Sequence, residues 1–157
     1  MKTVLVCGTF DALHPGHQDF FQQASKYGKV IAIVARDTSV RKLKKRKPLQ
    51  SERSRLQRVA KAKNIYQAQL GDKRDFLKPV EKIQPDIIAL GFDQTTFTIE
   101  ELKQQLKKRF LTPRIIRLKS FQPKKFKSSI LRNKGIFSSA CCAQLGKIFT
   151  AMGGQVW

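Results

Sequence analysis

The sequence predicts an α/β fold, a doubly wound, five-stranded parallel sheet of the Rossmann-like type. Apolar, β-branched runs alternate with segments of helical periodicity up to about residue 118. The first two runs, at 4–7 and within 29–37, are continuous rather than alternating, which is typical of strands covered on both faces. With 157 residues and 41% hydrophobic content, the chain suits one compact domain better than two. Such sheets bind ligands beyond the carboxyl ends of their strands.

The first βαβ unit has the clearest pattern. Residues 4–7 form one apolar run, and "KVIAIVARD" at 29–37 contains the second. Between them, Pro15 suits the first turn of a helix, and Gly28 is expected to end that helix in a left-handed conformation. Apolar residues recur at helical spacing in this segment: Phe20, Phe21 and Ala24. The unit is expected to be right-handed.

The same alternation continues along the chain. Strands are predicted at 65–70, 86–90 and 114–118, and helices at 51–63, 75–83, 99–109 and from near Ser128. Pro79 interrupts the pattern of the 75–83 helix. The run "RKLKKRK" at 41–47 has six basic residues in seven, which predicts a mobile, self-repelling loop. We expect a domain over 1–135 and a C-terminal extension, 136–157, in which Leu145, Ile148, Phe149 and Met152 form one helix face.

The composition narrows the class of ligand. A formal charge of +21, from 32 Lys and Arg against 11 Asp and Glu, favours polyanions such as nucleotides, phosphorylated metabolites or nucleic acid. Cys7, Cys141 and Cys142 contain no C-x-x-C pair, so they indicate neither a zinc site nor a disulfide framework. No apolar run is long enough for a signal peptide or a membrane span. These features predict a cytoplasmic protein.

The stretch "CGTFDALHPGHQDFF", residues 7–21, follows the first strand and enters the first helix. Backbone N–H groups at a helix start and the positive end of its dipole bind phosphate, and Gly16 lets a ligand approach closely. His14 and His17 would add hydrogen-bond donors, and Thr9 and Ser128 would supply hydroxyl groups. Turn histidines often bond only to local backbone, but these are the only two histidines of the chain. Their placement together favours a functional role.

The phrase "GTFDALHPGH", residues 8–17, resembles the signature of the H-x-G-H nucleotidyltransferases, in particular the cytidylyltransferase-like branch. That branch contains glycerol-3-phosphate cytidylyltransferases and archaeal-type FAD synthases. Further segments have family counterparts: "ARDTSVRKLKKRKPLQSERSRLQRV", "LGD" at 70–72, "PDIIALGFDQ" at 85–94 and "KSSIL" at 127–131. The resemblance covers residues 2–132, and "LGFDQ" and "KSSIL" look most like archaeal-type FAD synthases.

The resemblance implies transfer of AMP or CMP from a nucleoside triphosphate, with Mg²⁺, to a phosphorylated acceptor, and release of pyrophosphate. FAD synthase, with ATP and FMN as substrates, is the first interpretation and glycerol-3-phosphate cytidylyltransferase the second. The residues do not show whether the nucleotide is ATP or CTP, nor which phosphorylated compound is the acceptor. No resident metal site is expected. Relatives commonly form dimers, so a homodimer is a further expectation.

The resemblance also implies site roles. His14 and His17 would stabilise the α-phosphate, and Lys44 or its neighbour Lys45 would reach over the phosphates from a loop. The expected nucleotide-binding residues are Gly8, Thr9, Phe10, Gly16, Asp93, Ser128 and Ser129. Relatives often have glycine at Arg46 or Lys47, which leaves the choice of lysine open.

Several of these residues have structural alternatives. Asp11 could orient a metal-bound water or cap the turn. Asp93 could be a turn residue after Gly91, and Ser128 is a good helix N-cap in any protein. Cys141 and Cys142 suit small buried positions better than a redox role.

A basic chain of this size could instead bind nucleic acid without catalysis, through residues 41–63 and 119–134. The aromatic residues are mostly phenylalanines spaced for core packing, and no RNA-binding signature interleaves them with basic residues. An enzyme needs both histidines, whereas a nucleic-acid-binding protein could lose them. That difference separates the two classes.

Overall fold

The computed structural model describes residues 1–121. Five strands run in chain order: β1 (Thr3–Gly8), β2 (Lys29–Val34), β3 (Gln67–Leu70), β4 (Ile87–Leu90) and β5 (Arg114–Arg117). Five helices connect or follow them: α1 (Pro15–Ser25), α2 (Asp37–Lys44), α3 (Glu52–Ala60), α4 (Lys78–Ile83) and α5 (Ile99–Lys107).

The strands form a single parallel sheet in the order β3-β2-β1-β4-β5. The chain builds outward from β1 to β3 and then crosses back to place β4 on the other side of β1. The strand order therefore reverses between β1 and β4, and ligands of open α/β sheets bind at the carboxyl ends of the strands at such a point. The predicted doubly wound, five-stranded parallel fold is confirmed.

Two apolar layers cover the sheet. Because side chains of a strand alternate between faces, Val4 and Val6 of β1 join the layer of α1 and α3, and Leu5 joins the layer of α4 and α5. Buried members of the first layer include Phe21, Ala24, Val30 and Val59. Those of the second include Ile33, Val80, Leu102 and Leu106. This two-sided burial explains why the strands read as continuous apolar runs.

The expectation that all of residues 41–47 form a loop was wrong, since α2 continues through Lys44. Its first turn holds Asp37 and its last turn is basic, which complements the helix dipole. Val40 is the buried residue of this helix, and its basic side chains, Arg41, Lys42 and Lys44, are exposed. Lys45 adopts φ = 51° and ends the helix.

Gly28 does not end α1 as expected. The helix ends at Ser25 with Lys26 as a right-handed cap, and Gly28 lies beyond it with φ = 155°. A Cβ at this position would lie 2.1 Å from the carbonyl oxygen of Lys2. Glycine is therefore required where the chain enters β2 beside the start of β1.

Helix α4 begins at Lys78, so Pro79 lies in its first turn, where a missing N–H costs nothing. The predicted helix near Ser128 and the expected boundary between 135 and 136 lie outside the described residues. Within residues 1–121, no helix has the length and apolar character needed to cross a membrane.

Candidate active site

The turn from β1 into α1 has an unusual backbone. Phe10 and Ala12 adopt φ values of 50° and 55°, a left-handed conformation that costs free energy in residues with a side chain. The buried ring of Phe10 packs 5.2 Å from that of Phe21 and edge-on against His17 at 5.5 Å, between centroids. A Cβ at Gly8 would lie 2.8 Å from the Phe10 ring. Packing therefore holds this strained turn in one conformation.

The two histidines cap the first helix. Nδ1 of His14, the N-cap residue, accepts the Gly16 backbone N–H at 3.1 Å, and Nδ1 of His17 accepts the His14 backbone N–H at 3.4 Å. Their ring centroids lie 3.9 Å apart. A nitrogen that accepts a hydrogen bond carries no proton, so each neutral ring carries its proton on Nε2. The cap therefore fixes both the orientation and the tautomer of each imidazole.

Burial keeps both rings neutral. Desolvation lowers the pKa of His14 from 6.5 to about 4. Burial also holds the pKa of His17 well below 6.5, and the charges of His14 and Lys44 lower it further. At neutral pH each ring is an uncharged donor through Nε2–H. The Gly16 N–H is one of the backbone donors at the start of the helix, and His14 accepts it in the structure.

The structure brings Lys44 to the histidines. It is the last residue of α2 and is exposed, and its charge acts on the His17 ring. Lys45 serves as the left-handed residue that ends the helix. Of the two candidate lysines, Lys44 is therefore the one whose charge acts on the histidine pair. Thr9 and Phe10 lie in the adjacent turn, as the sequence predicted.

Asp11 has a structural use in this arrangement. Its carboxylate accepts the backbone N–H groups of Leu49 and Gln50, at 2.9 and 3.0 Å. These bonds tie the segment between α2 and α3 to the strained turn. Asp11 thus caps the backbone of a distant segment, a use that neither sequence alternative included.

Arg55 is a central residue that the sequence analysis missed. Its side chain is 0% exposed and donates to the carbonyl oxygens of Thr9 at 2.6 Å and Gln50 at 3.1 Å, and to Asp37 at 2.6 Å. Asp37 and Glu52 each accept the other's backbone N–H, so the starts of α2 and α3 are joined. Arg55 therefore connects the strained turn to both helices.

A second junction lies at the ends of β4 and β5. The Gln94 side chain accepts the Gly91 N–H at 2.8 Å and donates to the carbonyl of Cys7 at the end of β1. Arg117 donates to the carbonyls of Gly91 and Gln94, at 2.9 and 3.0 Å. Asp93 lies exposed in the turn held by these bonds. Burial raises the pKa of the Cys7 thiol to about 12, so this cysteine stays protonated.

The donor set suits an anion better than a bare cation. Within the part of the chain that the structure describes, no group of three His, Cys, Asp or Glu side chains could hold a metal ion. Two adjacent imidazole rings and a lysine whose charge acts on one of them are instead groups that can bind phosphate oxygens. A divalent metal that accompanies the triphosphate is compatible with this set. Ser128 and Ser129 lie outside the described residues.

A parallel sheet with neutral imidazole donors and a lysine at the carboxyl end of its central strand defines a nucleotide-binding enzyme, a nucleotidyltransferase. The chain belongs to the cytidylyltransferase-like family, whose model matches residues 5–134. The resemblance stated from the sequence is therefore confirmed. The match includes residues 5–8 of β1, the histidine pair and strands β2 to β5 of the described part of the chain.

Individual relatives agree with this assignment. The chain is 43% identical to an FAD synthase of Ferroglobus placidus over 121 residues, which cover 76% of this chain and 78% of the relative. It is 42% identical to an FAD synthase of Archaeoglobus profundus over 130 residues, covering 82% of each. A crystal structure of a lipopolysaccharide core biosynthesis protein from Thermoplasma volcanium has a TM-score of 0.74 and 35% identity, and covers 78% of this chain and 99% of its own.

Proposed function

We propose that the protein is an FAD synthase that transfers AMP from ATP to the phosphate of FMN and releases pyrophosphate. The observation that carries this proposal is the 42–44% identity to FAD synthases over at least three quarters of the chain. The histidine pair, Lys44 and the Gly91–Gln94 turn lie within the aligned family region. The comparisons favour neither glycerol-3-phosphate cytidylyltransferase nor a non-catalytic nucleic-acid-binding protein.

In the proposed reaction, a phosphate oxygen of FMN attacks the α-phosphorus of ATP in line. The new P–O bond forms as the bond from the α-phosphorus to the bridging oxygen breaks, and that oxygen leaves with pyrophosphate. Negative charge grows on the transferring group and on the leaving group. Catalysis of this kind depends on positioning and on stabilising that charge.

His14 and His17 donate from Nε2–H to oxygens of the α-phosphate. Because the capping bonds already orient the rings, no reorganisation is needed during the reaction. The low pKa values leave the rings uncharged, so they act as hydrogen-bond donors and transfer no proton. Lys44 supplies the positive charge that the histidines lack. Thr9 and the turn at Gly8, Phe10 and Gly16 line the triphosphate.

The nucleotide occupies the crevice between β1 and β4. We assign its base and ribose to the Asp93 turn, and its β- and γ-phosphates to Ser128 and Ser129. A divalent ion held by the triphosphate, Mg²⁺ in this proposal, would neutralise part of its charge. Lys44 and the two imidazoles then act on the α-phosphate side.

The direct test measures pyrophosphate release and FAD by chromatography. ATP and CTP with Mg²⁺ are each combined with FMN, glycerol 3-phosphate or no acceptor. We expect release with ATP and FMN together, with FAD in equal amount. Release only with CTP and glycerol 3-phosphate would replace the proposal with the second interpretation from the sequence.

A further inference from the structure

Two phenylalanines from different loops form an aromatic pair at the carboxyl end of the sheet, and one of them, Phe76, is exposed. Phe76 follows β3, Phe97 follows β4, and their ring centroids lie 5.6 Å apart with the planes inclined by 40°. The Phe76 ring is 49% exposed, although Leu77 beside it is buried. A large apolar side chain held in water gains little for stability, so this ring is available for a ligand.

The loop that carries Phe76 is fixed by its own hydrogen bonds. Oδ1 of Asp72 accepts the N–H groups of Arg74 and Asp75, at 2.8 and 2.9 Å. The Asp75 carboxylate binds the Arg109 guanidinium through two bonds of 2.8 and 3.1 Å and also accepts the Leu77 N–H. Phe76 thus lies between two anchored residues. Its ring is presented by a preorganised backbone, which lowers the entropy cost of binding.

The loop that carries Phe97 is anchored equally well. Gln94 holds its beginning to the end of β1 through the Cys7 carbonyl. Thr98 and Glu101 form a capping box that fixes the start of α5 directly after Phe97. The Phe97 ring packs against the apolar layer under α4 and α5. Phe97 therefore lies between the Phe76 ring and this apolar layer and supports the ring.

The pair and the proposed reaction site lie at the same end of the sheet, because both follow the carboxyl ends of its parallel strands. Cys7, to which the Phe97 loop is bonded, is the residue before Gly8 and the histidine turn. The histidines belong to the α1 side of the sheet, and the pair lies on the α4 and α5 side. The carboxyl end of β1 separates them. An acceptor whose phosphate meets the histidines can extend its other end across β1 toward Phe76.

We propose that Phe76, supported by Phe97, binds the planar ring system of the acceptor by stacking. This inference rests on the proposed function, in which the acceptor is FMN and its ring system is the isoalloxazine. Flat aromatic rings stack on exposed phenylalanine faces, and offset or tilted arrangements are favoured. Glycerol 3-phosphate has no ring and would gain nothing from this pair. The aromatic pair is thus the acceptor-specific part of the site.

The test compares Phe76→Ala with Phe76→Tyr and with a control, Phe110→Ala. Phe110 is 96% exposed and lies between α5 and β5, at the opposite end of the sheet. KM is measured separately for FMN and ATP. Phe76→Ala should raise the KM for FMN about tenfold and leave the KM for ATP unchanged, the scale of one lost ring-stacking contact. Phe76→Tyr keeps an aromatic face and should raise the KM for FMN less than Phe76→Ala does, and Phe110→Ala should keep wild-type values.

Binding is also measured without turnover, by FMN fluorescence with Mg²⁺ and a non-hydrolysable ATP analogue. A wild-type KM for FMN in Phe76→Ala, or an equal rise in both KM values, overturns the inference. FMN that does not bind to the wild-type protein also overturns it. A third outcome separates the two proposals. If the wild-type protein makes no FAD but binds FMN, and Phe76→Ala weakens that binding, the proposed function is overturned and the stacking site is supported.

Discussion

Nδ1 of His17 accepts the backbone N–H of His14, and the two imidazoles lie 3.9 Å apart between centroids. A helix N-cap is usually built from Ser, Thr, Asp or Asn. Here the capping groups are the two rings that carry the proposed chemistry, so the bonds that start the helix also leave the proton of each ring on Nε2. Local structure and the reaction site are therefore coupled at the same atoms.

Two substitutions of His17 can separate its capping role, through Nδ1, from its proposed role in the reaction, through Nε2–H. His17→Asn keeps an acceptor near the Nδ1 position but removes the group that reaches to Nε2. We expect turnover to fall by about two orders of magnitude or more, the effect of losing one preorganised charge-stabilising donor. The melting temperature should change little. Turnover is measured by pyrophosphate release and folding by circular dichroism.

His17→Gln is the matched partner. Its amide reaches the Nε2 position but leaves the His14 N–H without the Nδ1 acceptor. This variant should keep more turnover than His17→Asn and should melt at a lower temperature. Equal activity in a folded His17→Asn protein and the wild type would contradict the role of this residue.

The histidine pKa values predict how stability depends on pH. Burial lowers the pKa of His14 to about 4 in the folded state, against 6.5 as the ordinary value. Between pH 4 and pH 6.5 the unfolded chain binds a proton at His14 more readily than the folded protein does. The contribution of neutral His14 to the free energy of unfolding is therefore fully present above pH 6.5 and is lost as the pH falls toward 4. The loss from His14 approaches about 3 kcal/mol.

His14→Asn tests this dependence, because asparagine keeps an N-cap acceptor and does not titrate in this range. Urea unfolding of both proteins is measured at pH 7.5 and pH 4.5. The wild type should lose more free energy of unfolding between the two values than the variant does. An identical loss in both proteins would show that His14 is not the group responsible.

The sequence predicts the framework of this fold because its main signals are local. Continuous apolar runs predicted β1, β2 and β4 within a few residues, the mixed runs at 65–70 and 114–118 predicted β3 and β5, and Pro15 marked the start of α1. The histidine turn was located correctly because the carboxyl end of β1 follows directly from the first βαβ unit. Lys44 was also singled out, although its helix was expected to be a loop.

The rest depends on contacts between distant segments. An arginine is expected at the surface from its residue type alone. Arg55 is buried instead, because Thr9, Gln50 and Asp37 accept hydrogen bonds from its guanidinium. Gln94 contacts a carbonyl 87 positions away. No local pattern encodes such partners. The sequence could not predict the histidine tautomers either, since they follow from hydrogen bonds whose geometry appears only in the folded turn.

Arg55→Lys should destabilise the protein although it keeps the charge. A lysine ammonium cannot reproduce the planar fork that donates to three separate acceptors. Because one buried partner loses its bond and Asp37 loses its close ion pair, we expect a loss of about 3 kcal/mol in the free energy of unfolding. Arg53→Lys, at an exposed position of the same helix, is the control and should change little. Urea denaturation measures both, and equal stability of the two variants would argue against the central role of Arg55.

The junction of Gln94 and Arg117 should control nucleotide affinity through the position of the Asp93 turn. Gln94→Ala removes the bridge between the Gly91 N–H and the end of β1, and Arg117→Met removes the donor to two carbonyls of the same turn. Each bond of this kind is worth about 1 kcal/mol, so we expect the KM for ATP to rise by about fivefold or more while kcat changes less. Thr95→Ala, at an exposed position of the same loop, is the matched control and should keep the wild-type KM. A fall in kcat with an unchanged KM for ATP would instead assign the turn to the chemical step, because an interaction made only in the transition state affects kcat.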